Sequence, residues 1–256
     1  MRQIPLKHFT ERSAKIELLV LHSTAYNLQQ ALKIYDEQAV APHYIIDFNG
    51  EIIQCVAEQY RAKHAGRPDA PQFWRGIDTD LNSHSIGIEI LNPTLGQSEF
   101  EEAQILATIS LCQKIIAKYE IQPQNVIGHS DLTPTCKPDP GHCFPWQRLA
   151  QNNIGLWFEI NQRLDGGSSF SEIKRFLKLI GYDTRSAEII KASSYAFCRH
   201  FLPQFVTQVQ DIEQLLTKVY PDNCSFMQDE VFIKTLQAVA WSSLNHCNST
   251  STLTSP

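Results

Sequence analysis

Three side chains able to bind a transition metal stand where apolar, β-prone runs end. His22 closes Leu19-Val20-Leu21, His129 closes Val126-Ile127-Gly128, and Asp139 lies in the following loop Lys137-Pro138-Asp139-Pro140-Gly141. A strand end fixes a side chain while the adjoining loop leaves it accessible. Two neutral imidazoles and one carboxylate form a common ligand set for catalytic Zn2+, which keeps its remaining position for water. Each residue alone has an ordinary alternative: histidine serves many roles, and an aspartate between prolines can simply shape a turn. Their combination points to metal-assisted hydrolysis. Glu89 sits inside the apolar run Ser85 to Leu91, where a carboxylate is costly unless paired or put to use. No HExxH helix is present, so the common metalloprotease arrangement is absent.

The elements that must position these residues alternate in type. Residues 17–24 and 85–91 read as buried strands and 28–38 as a helix. Residues 43–56 read as a hairpin turning at Asn49-Gly50. A long helix is expected from Ser98, capped by Ser98 with Glu101, with Leu106, Ile109, Cys112, Ile115, Ile116 and Tyr119 on its apolar face. Residues 125–131 read as a short strand before the proline-rich loop. At Asp165-Gly166-Gly167-Ser168-Ser169 the texture changes, and amphipathic helical patterns follow at 172–182, 187–201, 209–220 and 230–244. We therefore expect domains at 1–164 and 170–246, a linker at 165–169 and a disordered tail at 247–256.

Composition narrows the function classes. Twenty-two basic and 27 acidic residues leave a net charge of −5, without the basic footprint of a nucleic-acid-binding protein. With 43% hydrophobic and 19% charged residues, the chain reads as an ordinary globular protein. No run approaches the roughly 18 apolar residues of a membrane span, and the N-terminus lacks an apolar signal core, so the chain reads as soluble. Seven cysteines, odd in number and thinly spread, imply no disulfide framework.

On these residues the sequence resembles the zinc-dependent N-acetylmuramoyl-L-alanine amidases of the type-2 amidase and peptidoglycan-recognition-protein superfamily. Leu21-His22-Ser23-Thr24 resembles the strand bearing the first ligand, and Ser85-Ile86-Gly87-Ile88-Glu89 the strand bearing the catalytic acid. Gly128-His129-Ser130-Asp131 with Lys137-Pro138-Asp139-Pro140-Gly141 resembles the final ligand pair, ten positions apart. Ala41-Pro42-His43-Tyr44, His64-Ala65-Gly66, Phe73-Trp74-Arg75-Gly76 and Phe144-Pro145-Trp146 extend the likeness over about residues 1–160. The pattern is nearest to bacterial cell-wall amidases with a C-terminal helical domain, and residues 170–245 loosely resemble a peptidoglycan-binding helical module.

The resemblance implies an α/β fold with a mixed central sheet flanked by helices, followed by a small all-α domain. It implies Zn2+ on His22, His129 and Asp139, with Glu89 as general base and Lys137 facing the developing oxyanion. The reaction would be hydrolysis of the amide between the lactyl group of N-acetylmuramic acid and L-alanine, in peptidoglycan or muropeptides. The alternative is a recognition protein that keeps the groove without catalysis. His64, Trp74, Arg75 and Asn82 are candidates for the substrate groove, whereas His43 reads as a packed or hydrogen-bonded residue near the site. Cys136 and Cys143 bracket Asp139, either as a small disulfide clamping the ligand loop or as a spare thiolate competing for the metal, with Asp139 favoured as ligand and plain structural thiols as the ordinary alternative. The implied setting is the periplasm or outer membrane, with the cytoplasm as the alternative, and a monomer suffices.

Overall fold

The computed structural model of the chain describes residues 1–66, 72–209 and 211–249. Its elements in order are β1 (Arg2–Gln3), β2 (Phe9–Glu11), β3 (Leu18–Thr24), α1 (Leu28–Glu37), β4 (Tyr44–Ile46), β5 (Ile52–Gln54), β6 (Tyr60–Ala62), α2 (Leu81–His84) and β7 (Ser85–Leu91). There follow α3 (Glu102–Tyr119), β8 (Val126–Gly128), α4 (His129–Leu132), α5 (Trp146–Ala150), α6 (Phe170–Ile180), α7 (Ala187–Phe201), α8 (Ile212–Thr217) and α9 (Glu230–Ser249). The mixed sheet has the order β1-β5-β4-β7-β3-β8, and β2 pairs with β6 in a small antiparallel ribbon. Its centre is parallel: β3 pairs with β7 and β8, and β7 also with β4. Central parallel strands are covered on both faces, which is why β3 and β7 read as nearly unbroken aliphatic runs. No helix among the described residues is long and apolar enough to cross a membrane.

Alternation along β3 divides the core. Leu19 and Leu21 join Ile86, Ile88 and the buried positions of α3 on one face. Leu18 and Val20 face the other way, into a cluster with Ile173, Phe176 and Leu177 of α6, Phe197 of α7 and Leu236 of α9. The C-terminal helices therefore complete the cover of the sheet. The segment 165–169 expected as a linker is fastened to them: Gln237 donates to the Gly166 carbonyl at 2.7 Å and Arg175 to the Asp165 carbonyl at 3.0 Å. α9 runs on to Ser249, past the expected start of the tail, whose remainder lies outside the described residues.

Three local expectations are corrected. The hairpin turns through a three-residue loop, closed by Gly50 N–H donating to the Asp47 carbonyl at 2.8 Å, and Gly50 has φ +80° whereas Asn49 is not left-handed. α3 starts at Glu102, because Ser98 is tied into the preceding loop by Thr94 Oγ1 and Asn92; Gln104 instead accepts from the Glu101 N–H at 3.1 Å. Its apolar stripe buries Ile109, Cys112 and Ile115 and half-buries Ile116 and Tyr119 as expected, but Ile105 takes the place of Leu106, which is 54% exposed.

One buried carboxylate joins the sheet to the helices. Asp131, in the turn of α4, accepts from Gly128 N–H at 2.8 Å, from the Tyr182 hydroxyl at 2.7 Å and from His200 Nδ1 at 2.9 Å. The His200 ring stacks between Trp146 and Phe201, with centroids at 3.8 and 4.1 Å. Three donors from three segments supply the hydrogen bonds that a carboxylate away from water requires. Because one apolar cluster joins β3 to the C-terminal helices, Phe176→Ala should cost about 3–5 kcal/mol and move one shared unfolding transition, measured by urea denaturation with far-UV and tryptophan signals recorded together.

Candidate metal centre

Register brings the site together. In the parallel pair β3·β7, His22 stands opposite Glu89, and in β3·β8, Leu21 stands opposite Gly128, so His129 follows level with His22. Three neighbouring strands thus deliver their polar residues in one row at their carboxyl ends, where α/β sheets bind ligands. Asp139 arrives from the loop after α4, anchored by Ser130 N–H donating to its carbonyl at 2.8 Å. That loop is backed by residues 92–97 at a contact too close for side chains. A Cβ on Gly96, at φ +71°, would lie 1.7 Å from the Pro140 carbonyl oxygen, and one on Gly141, at φ +93°, would lie 2.3 Å from that of Leu95.

His22 Nδ1 and His129 Nδ1 lie 3.0 Å apart; Asp139 Oδ2 is 3.1 Å from His129 Nδ1 and 3.4 Å from His22 Nδ1. Donors held about 2.0–2.1 Å from a tetrahedral Zn2+ stand roughly 3.3–3.4 Å apart, so this triangle is the size of one face of such a site. All three residues are buried. Burial, then the neighbouring His129, lowers the His22 pKa from 6.5 to about 4, which keeps the ring neutral as metal binding requires. Burial opposes ionisation of Asp139, yet His129 and His22 outweigh it and hold the carboxyl well below its usual range.

A cavity of about 480 Å³ opens over the triangle, lined by His129, Asp139, Glu89, Lys137 and Tyr35 among others. Glu89 Oε2 is buried with no hydrogen-bond partner. Burial, and then Asp139, raises its pKa above the ordinary carboxylate value, partly offset by Lys137. The Tyr35 hydroxyl is nearby, but it too is buried without a hydrogen bond. Lys137 is half-buried and pairs with no carboxylate among the described residues. The site thus combines a cation-sized gap between three donors, a carboxyl poised to hold a proton, and an ammonium group.

Of the four residues expected in the substrate groove, His64 is in the lining of this cavity and Trp74, Arg75 and Asn82 are not. His64 borders the cavity but is engaged beneath it, with Nδ1 3.0 Å from His22 Nε2. Asn82 accepts from the His64 and Ala65 N–H groups, both at 2.8 Å, and so holds that loop. Trp74 is buried, donates to the Gln124 carbonyl at 3.1 Å and packs on Tyr182. Arg75 reaches the helices, donating to the Ile180 carbonyl at 2.9 Å and to Ser243 at 3.0 Å. Cys136 and Cys143 are both free thiols, which removes the disulfide reading, and neither belongs to the ligand triangle.

Arg12 carries no signal in the sequence. Its guanidinium donates to the carbonyls of Asn82, Ser83, Ser85, Glu58 and Tyr60 at 2.6–3.2 Å, locking the loops that carry His64 to the start of β7. Such a role depends on carbonyls distant in sequence. His43 lies beside it, as expected for a hydrogen-bonded residue: Gly87 N–H donates to its Nδ1 at 3.0 Å, while its Nε2 lies 3.0 Å from Arg12 Nη2 and 3.1 Å from the Tyr60 carbonyl. Also unforeseen, Ile212 and Leu216 of α8 form one wall of the cavity.

Comparison with known proteins agrees with this geometry. The family model for Amidase_2, N-acetylmuramoyl-L-alanine amidase, matches residues 12–142, a span that contains the whole triangle with Glu89 and Lys137. Over 224 residues the chain is 36% identical to N-acetylmuramoyl-L-alanine amidase AmiD of Escherichia coli K12, covering 78% of this chain and 79% of that protein. The chain belongs to the N-acetylmuramoyl-L-alanine amidase family. The amidase fold is shared with a solved complex of E. coli AmiD with anhydro-N-acetylmuramic acid-L-Ala-D-gamma-Glu-L-Lys, at TM-score 0.69 and 30% identity over 93% of this chain and 97% of that one. It is shared also with AMPDH3 of Pseudomonas aeruginosa, at TM-score 0.71 and 27% identity over 88% and 91%. Both likenesses reach beyond the matched family region into the C-terminal helices.

The buried imidazoles of this amidase should make its stability fall in acid. Burial is the main cause that lowers the His43 pKa to about 3, against 6.5 when exposed. The unfolded chain therefore binds the proton first, so stability is full above about pH 6.5 and declines as pH falls towards the folded value. Urea unfolding of metal-free protein between about pH 7 and about pH 5 should show this decline, and His43→Gln should make it shallower.

Proposed function

We propose that this amidase hydrolyses the bond between the lactyl carbonyl of N-acetylmuramic acid and the amine of L-alanine, with Zn2+ held by His22, His129 and Asp139. The observation that carries the reading is the triangle of donor atoms 3.0–3.4 Å apart, opening on a cavity that also presents an unpartnered Glu89 oxygen and the Lys137 ammonium. When bound, the metal supplies Lewis acidity that polarises the scissile carbonyl and acidifies a water. Glu89 takes the proton of the attacking water and returns it to the departing amine, a task suited to a carboxyl whose proton affinity burial has raised. Lys137 places positive charge beside the oxygen on which negative charge develops, and in a partly dry cavity this helps the transition state more than the substrate.

The substrate is peptidoglycan or a muropeptide derived from it. Residues 1–164 carry the chemistry and the helices of 170–246 act as a peptidoglycan-binding-like region, in a monomer working in the periplasm or at the outer membrane. The AmiD complex, which holds an anhydro-muramyl peptide, supports that substrate class.

Purified protein should release peptides with a new L-alanine amino terminus from a muramyl peptide; a chelator should abolish release and added Zn2+ restore it. Glu89→Gln should lower kcat by about 10²–10⁴ and Lys137→Ala by about 10²–10³, each with zinc content unchanged by elemental analysis. Release that survives metal removal, or variants as active as the parent, would sink the assignment.

A further inference from the structure

His64 and Ser85 do no chemistry in the reaction above, yet they are buried directly behind a ligand residue. Ser85 Oγ lies 2.7 Å from the Leu81 carbonyl, which can only accept, so the hydroxyl proton is committed there. His64 Nε2, 3.2 Å from the same Oγ, must therefore be the donor. A neutral imidazole carries one proton, which leaves His64 Nδ1 as an acceptor facing His22 Nε2 at 3.0 Å. His22 then bears its proton on Nε2, and its Nδ1 lone pair points at His129 Nδ1 and Asp139 Oδ2, 3.0 and 3.4 Å away.

We propose that Ser85 and His64 are positioning residues that fix the tautomer of His22, with the Leu81 carbonyl as the anchor of the relay. The relay rests on the reading of His22 as a zinc ligand. Its direction follows from one fixed acceptor at the far end. Reversing His22 would set two lone pairs against each other unless His64 also changed tautomer, and that change would require Ser85 to give up Leu81. A ligand held in one tautomer needs no internal proton shift before it binds metal, and its ring orientation is set in advance.

The backbone is shaped for this relay. The His64 ring occupies the space where a side chain at position 87 would begin: a Cβ on Gly87 would lie 2.3 Å from His64 Cγ and Nδ1. Asn82 holds the main chain of His64 and Ala65 at the matching height through two hydrogen bonds of 2.8 Å. Glycine in β7 is thus required by the ring behind the ligand and by no turn.

The relay is tested first on unsubstituted, metal-free, 15N-labelled protein by long-range 1H–15N histidine correlation. Protons on Nε2 of both His22 and His64 are expected; a proton on Nδ1 of either ring overturns the proposal. Zinc affinity is then measured by competition with a chromogenic chelator, with circular dichroism confirming the fold. Ser85→Ala and His64→Ala should each weaken zinc binding by about 10- to 100-fold. His64→Gln should recover part of the loss, because its amide can accept from His22 and donate to Ser85. Folded Ser85→Ala and His64→Ala proteins that hold zinc as tightly as the parent would refute the relay. An unsubstituted chain that binds no zinc would overturn the proposed function, while the histidine spectrum would still decide the tautomers.

Discussion

Parallel hydrogen bonding between β7, β3 and β8 sets the height of every polar group in the centre. Side chains on neighbouring parallel strands at equal register share one face, so His22 opposite Glu89 places a ligand beside a carboxyl without any loop having to find its conformation. A slip of one residue would turn both into the opposite core, because alternate positions of a strand point to opposite faces. The aliphatic residues on either side of His22 and Glu89, buried against α3 on one face and against the helical region on the other, make that slip very costly. Hydrophobic packing therefore protects the chemistry without touching it.

Around this row the protein uses hydrogen bonds from fixed acceptors and donors. Arg12 gathers five carbonyls from loops that would otherwise move independently. Asn92 and the close approach of Gly96 to Pro140 give the ligand loop a rigid back, and Ser23 adds a bond of 3.3 Å to the Pro140 carbonyl. Glu89 and Tyr35, in contrast, keep buried oxygens without partners. Unsatisfied polar atoms cost stability, and these two lie in the wall of the cavity over the metal-ligand triangle, where a substrate could supply partners.

Much of this was legible from sequence because the strands are written as uninterrupted aliphatic runs and the ligands fall at their ends. The mixed sheet with a helical C-terminal region, the membership in the amidase family and the grouping of His22, His129 and Asp139 all follow from patterns that are local or carried by motifs. What was not legible depends on partners far apart in the chain. Trp74 and Arg75 look like groove residues from their type, but their polar atoms are consumed by Gln124, Ile180 and Ser243. The shift of the α3 cap from Ser98 to Glu101 is of the same kind, since Ser98 caps well in principle and is diverted by Thr94 and Asn92. Neither the wall formed by α8 nor the five-fold grip of Arg12 leaves any trace in periodicity or spacing.

The Asp131 carboxylate sits two positions from His129 and receives donors from the end of β8, from Tyr182 and from α7. Two of those donors belong to the helical region, so the sheet and the C-terminal helices share a buried polar junction as well as an apolar core. Parted from its helices, the sheet would lose two of the three donors to Asp131 together with the apolar cover over Leu18 and Val20.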